Sequence, residues 1–337
     1  MGDFRGLLAK VGNGQSLGVD EAERAFDIMT GGDATPAQMG AFLMGLKVRG
    51  ETADELTGGA RALRAKMLAV QAPAGTIDIV GTGGDHHGTY NVSSCSALVV
   101  AGAGVPVAKH GNRAFTSKSG AADVLSALGI GLELPIETLE KALAEANICF
   151  LMAPRHHSAM RNVNAPRVEL APSRTIFNLL GPLSNPARVK RQVVGVFDRR
   201  WLKPMAEALG QLGLERALVV HGQDGMDELT TTTTSWAASL ENGRVNEIEI
   251  APEEIGVKRA TIAELKGADP AHNAEAIKKV LAGERNAFRD IVLLNSAAAL
   301  MVAGKAKTLK EGAELAAQSI DSGKAAATLG LLQRICA

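Results

Sequence analysis

The sequence predicts an α/β fold: a small all-helical domain joined to a larger α/β domain with a central, mostly parallel sheet flanked by helices. Three observations carry this prediction. Residues 76–151 alternate short β-branched runs with apolar runs of helix length, as strand–helix–strand units do. Residues 1–70 hold helix starts and stops but no such alternation. The alternation returns after Gln192. With 337 residues, 46% of them hydrophobic, the chain has room for one large or two modest domains and a sizeable core.

In order along the chain, Asp20 is an N-cap candidate for a helix over 21–29, stopped by Gly31 and Gly32. Thr35-Pro36 starts the next helix, with Pro36 at its first position. Ala41, Leu43, Met44, Leu46 and Val48 predict that this helix is mostly buried. Gly50-Glu51-Thr52 breaks it, and a third helix covers 52–68. After the hinge-like Pro73-Ala74-Gly75, strands are expected at 76–80, 105–109 and 148–151, and helices at 92–103, 121–128 and 137–146. Residues 152–187 contain five prolines and do not read as sheet; short helices are expected at 160–169 and 173–180, ended by Gly181-Pro182. Then come strands at 193–197, 217–221 and 244–250, and helices at 201–212, 274–281, 288–303 and 309–322. The five threonines 230–234 suit an extended edge strand.

Composition excludes several classes. A net charge of zero argues against a general nucleic-acid or membrane-surface protein, and 3% aromatics against a base-stacking platform. Cys95, Cys149 and Cys336 share no metal-type spacing and form no even framework, so reduced thiols in a cytoplasmic protein are expected. No apolar run approaches the roughly 20 residues of a membrane span, and Met1-Gly2-Asp3-Phe4 opens no signal peptide.

The chemistry gathers at two strand ends. Gly81-Thr82-Gly83-Gly84-Asp85 follows the first strand at once, and Asn91-Val92-Ser93-Ser94 reads as the start of the next helix. Strand, glycine loop and helix N-terminus together present free N–H groups to an anion. The second strand ends in Lys109-His110-Gly111-Asn112-Arg113, and Thr116-Ser117-Lys118-Ser119-Gly120 precedes another helix. Taken singly, the glycine loop reads equally as a tight turn and the cations as a solvated strand end. Two such loops on consecutive strands, at the sheet edge where open α/β folds bind ligands, predict a site for a multiply phosphorylated small molecule. The loop fits neither the dinucleotide fingerprint nor a Walker A loop, since no Gly-Lys-Ser/Thr closes it. Asp227 and Glu228 are adjacent acids after a strand and an Asp224-Gly225 turn. Alone they read as a solvated turn or as ligands of a hard cation. Asp85, His86 and His87 lack the further spaced ligand pair that zinc needs.

GTGGD, NVSS, KHGNR and SKSGAADVL, in this order and spacing, together with TPAQMGAFLMGLKVRGET and HGQDGMDEL, resemble the anthranilate phosphoribosyltransferase family. The likeness runs from about Leu17 onward. It implies transfer of the 5-phosphoribosyl group of PRPP to the amine of anthranilate, with release of pyrophosphate, in tryptophan biosynthesis. It also implies Mg2+ as cofactor and a homodimer formed through the small domain. The domains it implies are 1–72, joined by about 160–186, and 73–159 with 187–337. By the same resemblance, PRPP is held by Gly81, Gly84, Asp85, Thr89, Asn91, Val92, Ser93 and Ser94, by Lys109, His110, Gly111, Asn112 and Arg113, and by Ser117 and Ser119 with position Ala121. Anthranilate meets Gly81, His110, Asn112, His157 and Arg167, and the metal meets Ser93, Asp227 and Glu228. Catalysis rests on positioning and charge stabilisation, with His110 the one candidate for a proton-transfer role; His110 and His157 read equally as packed structural histidines. The family has a serine where Ala121 stands, and commonly a proline where Ser158 stands. Two rival readings share the architecture. A pyrimidine-nucleoside phosphorylase is opposed by the intact KHGNR motif, and a non-enzymatic nucleic-acid-binding relative by zero net charge and the retained acids.

Overall fold

The computed structural model describes residues 2–85, 87–113 and 119–337. Four helices come first: α1 (Gly2–Gly12), α2 (Val19–Gly31), α3 (Pro36–Arg49) and α4 (Ala53–Lys66). Two start in reciprocal caps. Thr35 Oγ1 accepts from Gln38 N–H while Gln38 Oε1 accepts from Thr35 N–H, and Thr52 with Glu55 repeats the arrangement at α4. The helix expected to be capped by Asp20 begins earlier, with Gly18 at the cap, because Glu21 Oε2 reaches back to the Gly18 N–H at 3.0 Å. α2 and α4 pack closely: a Cβ at Gly58 would overlap the Val19 carbonyl. α3 is buried only on its Phe42, Leu43 and Leu46 side. Ala41 and Val48 lie on the opposite face, and Val48 is 82% exposed, so the expectation of a mostly buried helix is corrected.

The sheet holds seven strands: β1 (Ile77–Gly81), β2 (Val107–Gly111), β3 (Ile148–Met152), β4 (Arg191–Gly195), β5 (Arg216–Gly222), β6 (Ser235–Glu241) and β7 (Arg244–Ile250), in the order β3-β2-β1-β4-β5-β6-β7. The first five are parallel; β6 and β7 add an antiparallel hairpin turned at Asn242-Gly243, both in the left-handed region. Helices α5 (Val92–Gly102), α6 (Ala121–Ala127) and α7 (Ile136–Ala146) connect the early strands. Short helices α8 (Ala153–His156), α9 (Asn164–Glu169) and α10 (Phe177–Leu180) follow β3. α11 (Leu202–Gln211) joins β4 to β5, and α12 (Pro270–Leu281), α13 (Ala287–Val302), α14 (Leu309–Asp321) and α15 (Lys324–Ile335) close the chain. Among the described residues no helix is long and apolar enough to cross a membrane.

Alternation along the strands builds two cores. Ile77, Ile79, Val193, Leu218 and Val220 face α5 and α13. Val80, Val194, Ala217 and Val219 face α11, in a core that runs on into Phe26, Phe42 and Leu46 of the N-terminal helices. The sheet and the small helical bundle thus share one apolar layer.

Four further sequence expectations change. The second strand begins at Val107, two residues late, because Pro106 stands at its entry; Lys109 and His110 therefore lie inside the strand, not on a solvated end. The helix expected at 160–169 is a 3-10 turn, Ser158–Val163, followed by α9, since Pro166 lacks the N–H that a continuous helix would use. The helix expected at 173–180 shrinks to α10: Asn178 Oδ1 takes the Thr175 N–H at 3.0 Å, and Arg174 turns away toward Gly84. The threonine run is not a strand. Thr230 and Thr232 give their hydroxyls to Asp224, which folds the segment into a buried turn, and β6 starts only at Ser235. Strand β6 and the final helix α15 were not anticipated.

Candidate active site

Two glycines make the central slot. Gly81 and Gly195 end β1 and β4 and are register partners. A Cβ on Gly195 would overlap the Asp227 carbonyl oxygen, and one on Gly81 would overlap its Oδ2. The segment from Met226 to Leu229 can cross these strand ends only because both are bare. It is pinned from three sides. Asp224 Oδ1 accepts from Met226 N–H at 3.1 Å. Asn295 on α13 takes the Leu229 N–H at 3.1 Å and donates to the Leu229 carbonyl at 2.8 Å. Gly83 N–H donates to Asp227 Oδ2 at 2.6 Å. Gly83 and Gly84 hold φ of 70° and 83°, backbone that glycine takes without strain.

Glu228, Ser93 and Lys109 complete this side. Ser93 N–H, in the first turn of α5, donates to Glu228 Oε1 at 3.2 Å. Lys109, 2% exposed, donates to Ser93 Oγ at 3.1 Å and to the Ile79 carbonyl at 2.8 Å. Beneath it lies Asp78, fully buried, accepting from His110 N–H at 3.2 Å, Asn185 Nδ2 at 2.8 Å and Gln192 Nε2 at 3.1 Å. Burial raises Asp78 to about 6, against the pull of Lys109. Burial, then the Asp85 carboxylate, push Asp227 up to about 7. Burial, then Asp227, push Glu228 up to about 8. Burial lowers Lys109, against Asp78, Glu228 and Asp227. Several acids crowd one lysine, so the pocket's carboxylates are short of positive charge.

Among the described residues no three Asp, Glu, His or Cys side chains come together as a metal cage. Mg2+ needs no such cage: one or two carboxylates plus phosphate oxygens and waters suffice. The donor set of Asp227, Glu228 and the Ser93 hydroxyl fits that ion.

Around this centre, Asn91 and Ser119 exchange two hydrogen bonds: Ser119 Oγ donates to Asn91 Oδ1 at 3.1 Å, and Asn91 Nδ2 to the Ser119 carbonyl at 3.3 Å. Ser94 Oγ is buried without a hydrogen bond. Thr89 forms an isolated bridge with Lys266. The Val92 N–H is taken by the Tyr90 carbonyl at 2.8 Å. Gly111 lies where a Cβ would be 2.9 Å from the Phe150 ring. The Asn112 carbonyl accepts from Ala122 N–H at 3.2 Å, just past Ala121 at the start of α6. Arg113 is exposed and pairs with Asp123 at 3.2 Å, away from the buried centre. Ser117 lies outside the described residues, as does His86.

The residues that the resemblance assigns to anthranilate are built differently. His110 and His157 meet edge to face, with centroids 5.3 Å apart. His110 Nε2, both ring nitrogens of His157 and Ser184 Oγ are buried without hydrogen bonds. Burial, then the neighbouring His156, lowers His157 to about 4; burial, then His157, holds His110 well below the usual range. Both rings are neutral at pH 7. Arg167, half-buried on α9, lies over the Phe177 ring at 5.3 Å; among the described residues it has no ion pair, and burial lowers it. Among the described residues, no hydrogen bond or ring contact joins it to the two histidines.

Asp78, Arg174, Asn185, Gln192 and Asn273 escaped the sequence reading. Arg174 donates to the Gly84 carbonyl and stacks on Phe197 at 4.1 Å. Only Asp78 carried a signal, as a charge in a β-branched buried strand.

The glycosyl transferase family model for the helical bundle domain matches residues 5–67, and that for the a/b domain residues 74–326. The anthranilate phosphoribosyltransferase of Azorhizobium caulinodans is 57% identical over 331 residues, 98% of this chain and 96% of the relative. That of Brucella suis is 57% identical over 337 residues, covering 100% and 98%. The crystal structure of the Thermus thermophilus anthranilate phosphoribosyltransferase superposes with a TM-score of 0.93 at 41% identity, covering 98% of this chain and 99% of that one. The Saccharomyces cerevisiae enzyme in complex with PRPP and Mg gives 0.89 at 26% identity, covering 99% and 97%. With both family models matched in chain order and identity sustained from end to end, the chain belongs to the anthranilate phosphoribosyltransferase family.

Proposed function

We propose that this chain transfers the 5-phosphoribosyl group of PRPP to the amine of anthranilate and releases pyrophosphate, using Mg2+, as the second step of tryptophan biosynthesis from chorismate. The observation that carries this reading is the Asp227 slot: bare strand ends, a glycine loop bonded to the carboxylate, and a buried Lys109 beside Ser93. When bound there, Mg2+ would be held by Asp227, Glu228 and Ser93 and would neutralise charge building on the leaving pyrophosphate. Lys109 supplies a buried positive charge to the same group, and the glycines of the Gly81–Asp85 loop let it approach the backbone with no Cβ in the way. Asn91, Ser119, Ser94 and Thr89 face the ribose and phosphates.

An aryl amine is already uncharged at neutral pH, so attack on the anomeric carbon needs no strong base. The chain's task is to hold the amine in line and to accept its proton afterwards. Neutral His110, with Nε2 unbonded, is suited to that acceptance. Arg167 is suited to the anthranilate carboxylate, since its guanidinium is presented on Phe177 and has no ion pair among the described residues.

Residues 1–72 with about 160–186 act as one domain and 73–159 with 187–337 as the other. Support comes from α9 packing on α3 and from Asn162 Nδ2 donating to the Thr30 carbonyl at 2.7 Å. The protein works as a homodimer through the helical domain; Val48 and Val168, on the touching helices α3 and α9, are 82% and 51% exposed in the single chain and offer an apolar face. It resides in the cytoplasm, a reading supported by three buried free thiols.

The test is anthranilate fluorescence with purified protein, PRPP and Mg2+. A PRPP-dependent loss of signal that stops on chelation is expected. No loss, or phosphorolysis of a pyrimidine nucleoside instead, would overturn the proposal.

A further inference from the structure

Residues 265–273 line the stretch His87–Asn91 that leads from the first glycine loop into α5. Tyr90 N–H donates to the Leu265 carbonyl at 3.1 Å, and Gly267 N–H to the Gly88 carbonyl at 3.0 Å. Lys266 Nζ donates to the His87 carbonyl at 2.8 Å. The two stretches are pressed together: a Cβ on Gly267 would lie 2.7 Å from the Thr89 carbonyl oxygen and 2.9 Å from Asn273 Oδ1.

Asn273, 1% exposed near the start of α12, ends this seam. Its Oδ1 accepts from Ala268 N–H at 2.9 Å. Its Nδ2 donates to Asn91 Oδ1 at 2.9 Å, across 182 positions of sequence. Ser119 Oγ donates to that same oxygen at 3.1 Å, and Asn91 Nδ2 goes to the Ser119 carbonyl. Two donors converging on Asn91 Oδ1 decide which way its amide faces. Reversing the amide would set two NH2 groups against each other and break the pairing with Ser119. The orientation of two residues in the phosphoribosyl site is therefore fixed by a side chain that does not itself face the cleft.

We propose that Asn273 is a positioning residue of the transfer reaction: its amide donor orients Asn91, and through Asn91 it places Ser119 against the phosphoribosyl substrate. The inference rests on reading this cleft as the PRPP site. A residue serving only to cap the turn at Ala268 would need the acceptor Oδ1 alone. A positioning residue needs the donor Nδ2.

Asn273→Asp separates the two roles, because the carboxylate keeps the acceptor for Ala268 and loses the donor to Asn91. Steady-state kinetics should show KM for PRPP raised about tenfold or more, the value of one buried hydrogen bond turned into an acceptor–acceptor clash. KM for anthranilate at saturating PRPP should stay within about threefold, since no hydrogen bond on that side changes. In an Asn91→Ala background the same substitution should add no further rise, as coupled residues behave in a double-mutant cycle. A wild-type PRPP KM in Asn273→Asp, or an undiminished effect with Asn91→Ala, would overturn the proposal. Should the aspartate variant fold poorly, Asn273→Ala, which removes both the acceptor and the donor, repeats the kinetics and the double-mutant cycle: its effect on PRPP KM should vanish in the Asn91→Ala background, whereas a turn-capping role alone would leave it undiminished. Raised PRPP KM with kcat retained supports positioning; KM values for both substrates raised alike, or neither changed, overturns it. Wild-type turnover tests the reading of the site, whereas only the ratio of variant to wild type tests Asn273, so the two ideas fail separately.

Discussion

The two halves of the cleft solve opposite problems. On the phosphate side nearly every polar group is tied down: Asp227 to Gly83, Glu228 to Ser93, Lys109 to Ser93 and Ile79, Asn91 to Ser119 and Asn273. It is crowded with acid: burial, then a neighbouring carboxylate, raises Asp227 to about 7 and Glu228 to about 8. On the aromatic side the polar groups are left free. Among the described residues, His110 Nε2 and the His157 ring nitrogens are buried without a hydrogen bond within bonding geometry, and Arg167 lies over a ring without an ion pair. Under the proposed assignment, one half is organised for charge that appears at the leaving group, the other for a flat acid that enters and supplies hydrogen bonds itself. The contrast places preorganisation where the bond breaks and adaptability where the nucleophile is chosen.

The sharpest way to break this contrast is at the acids. Asp227→Asn with Glu228→Gln should lower kcat by about a thousandfold or more, as loss of a central electrostatic group does. The remaining rate should no longer depend on Mg2+. Retained Mg2+ dependence, read by titrating the ion in the fluorescence assay, would move the metal elsewhere. Next in size is Arg167→Ala. Loss of a charged hydrogen-bonded pair, roughly 1.5–3 kcal/mol, should raise KM for anthranilate about 10- to 100-fold. KM for PRPP should barely move; equal effects on both substrates would remove Arg167 from the anthranilate side.

The same contrast sets what could be read from sequence. The phosphate half was legible because its parts are short, contiguous and chemically marked: glycines after a β-branched strand, then a helix start. Even there the bare sequence hid the reason for Gly195, which is the carbonyl of Asp227 crossing β4. It also placed Lys109 on a strand end, although Pro106 shifts β2 and buries it. The aromatic half is assembled from α9, α10 and β2 by irregular chain, and no local pattern in residues 152–187 marks it; Arg167 and His157 came only from family resemblance. Asn273 and Gln192 had no signal because an amide's role is decided by partners far along the chain. The threonine run misled because strand propensity lost to three short side-chain bonds around Asp224.

A smaller effect tests the neutral histidines. His157 stands at about 4 in the folded chain against a usual value near 6.5, so the unfolded chain takes up the proton first as pH falls. Its neutral form therefore costs the fold nothing above about pH 6.5, and stability declines by roughly 1.4 kcal/mol per pH unit from there down to about 4. Asp78, Asp227 and Glu228, raised by burial, slope the other way, since their folded forms bind protons that the unfolded chain has released. The difference between wild type and His157→Asn isolates the histidine. Between about pH 7.5 and 5.5, wild type should lose about 1.4 kcal/mol more than the variant in urea unfolding. Parallel pH profiles would show that His157 is not held neutral by burial.

The smallest effect bears on how complete the phosphate half is. Ala121 opens α6 where the family resemblance expects a serine, so this chain has one hydroxyl fewer beside Gly111. Space is available: Gly111 has no side chain, and the Ala121 methyl sits where a Gly111 Cβ would be 3.3 Å away. A hydroxyl at the first position of a helix is well tolerated, because it can meet a free N–H of the first turn. Ala121→Ser should therefore leave kcat and stability unchanged. Its effect on PRPP KM should lie between none and about a tenfold decrease, the range of one added hydrogen bond. A decrease means that the half was preorganised but not saturated with donors, and that the missing hydroxyl is a tuning of affinity. No change means that Asn91, Ser119 and Lys109 already satisfy the phosphates. A marked loss of activity would be the informative failure, since it would mean that the start of α6 closes against the substrate through apolar contact at Ala121, contrary to the hydrogen-bonded cradle described for that side.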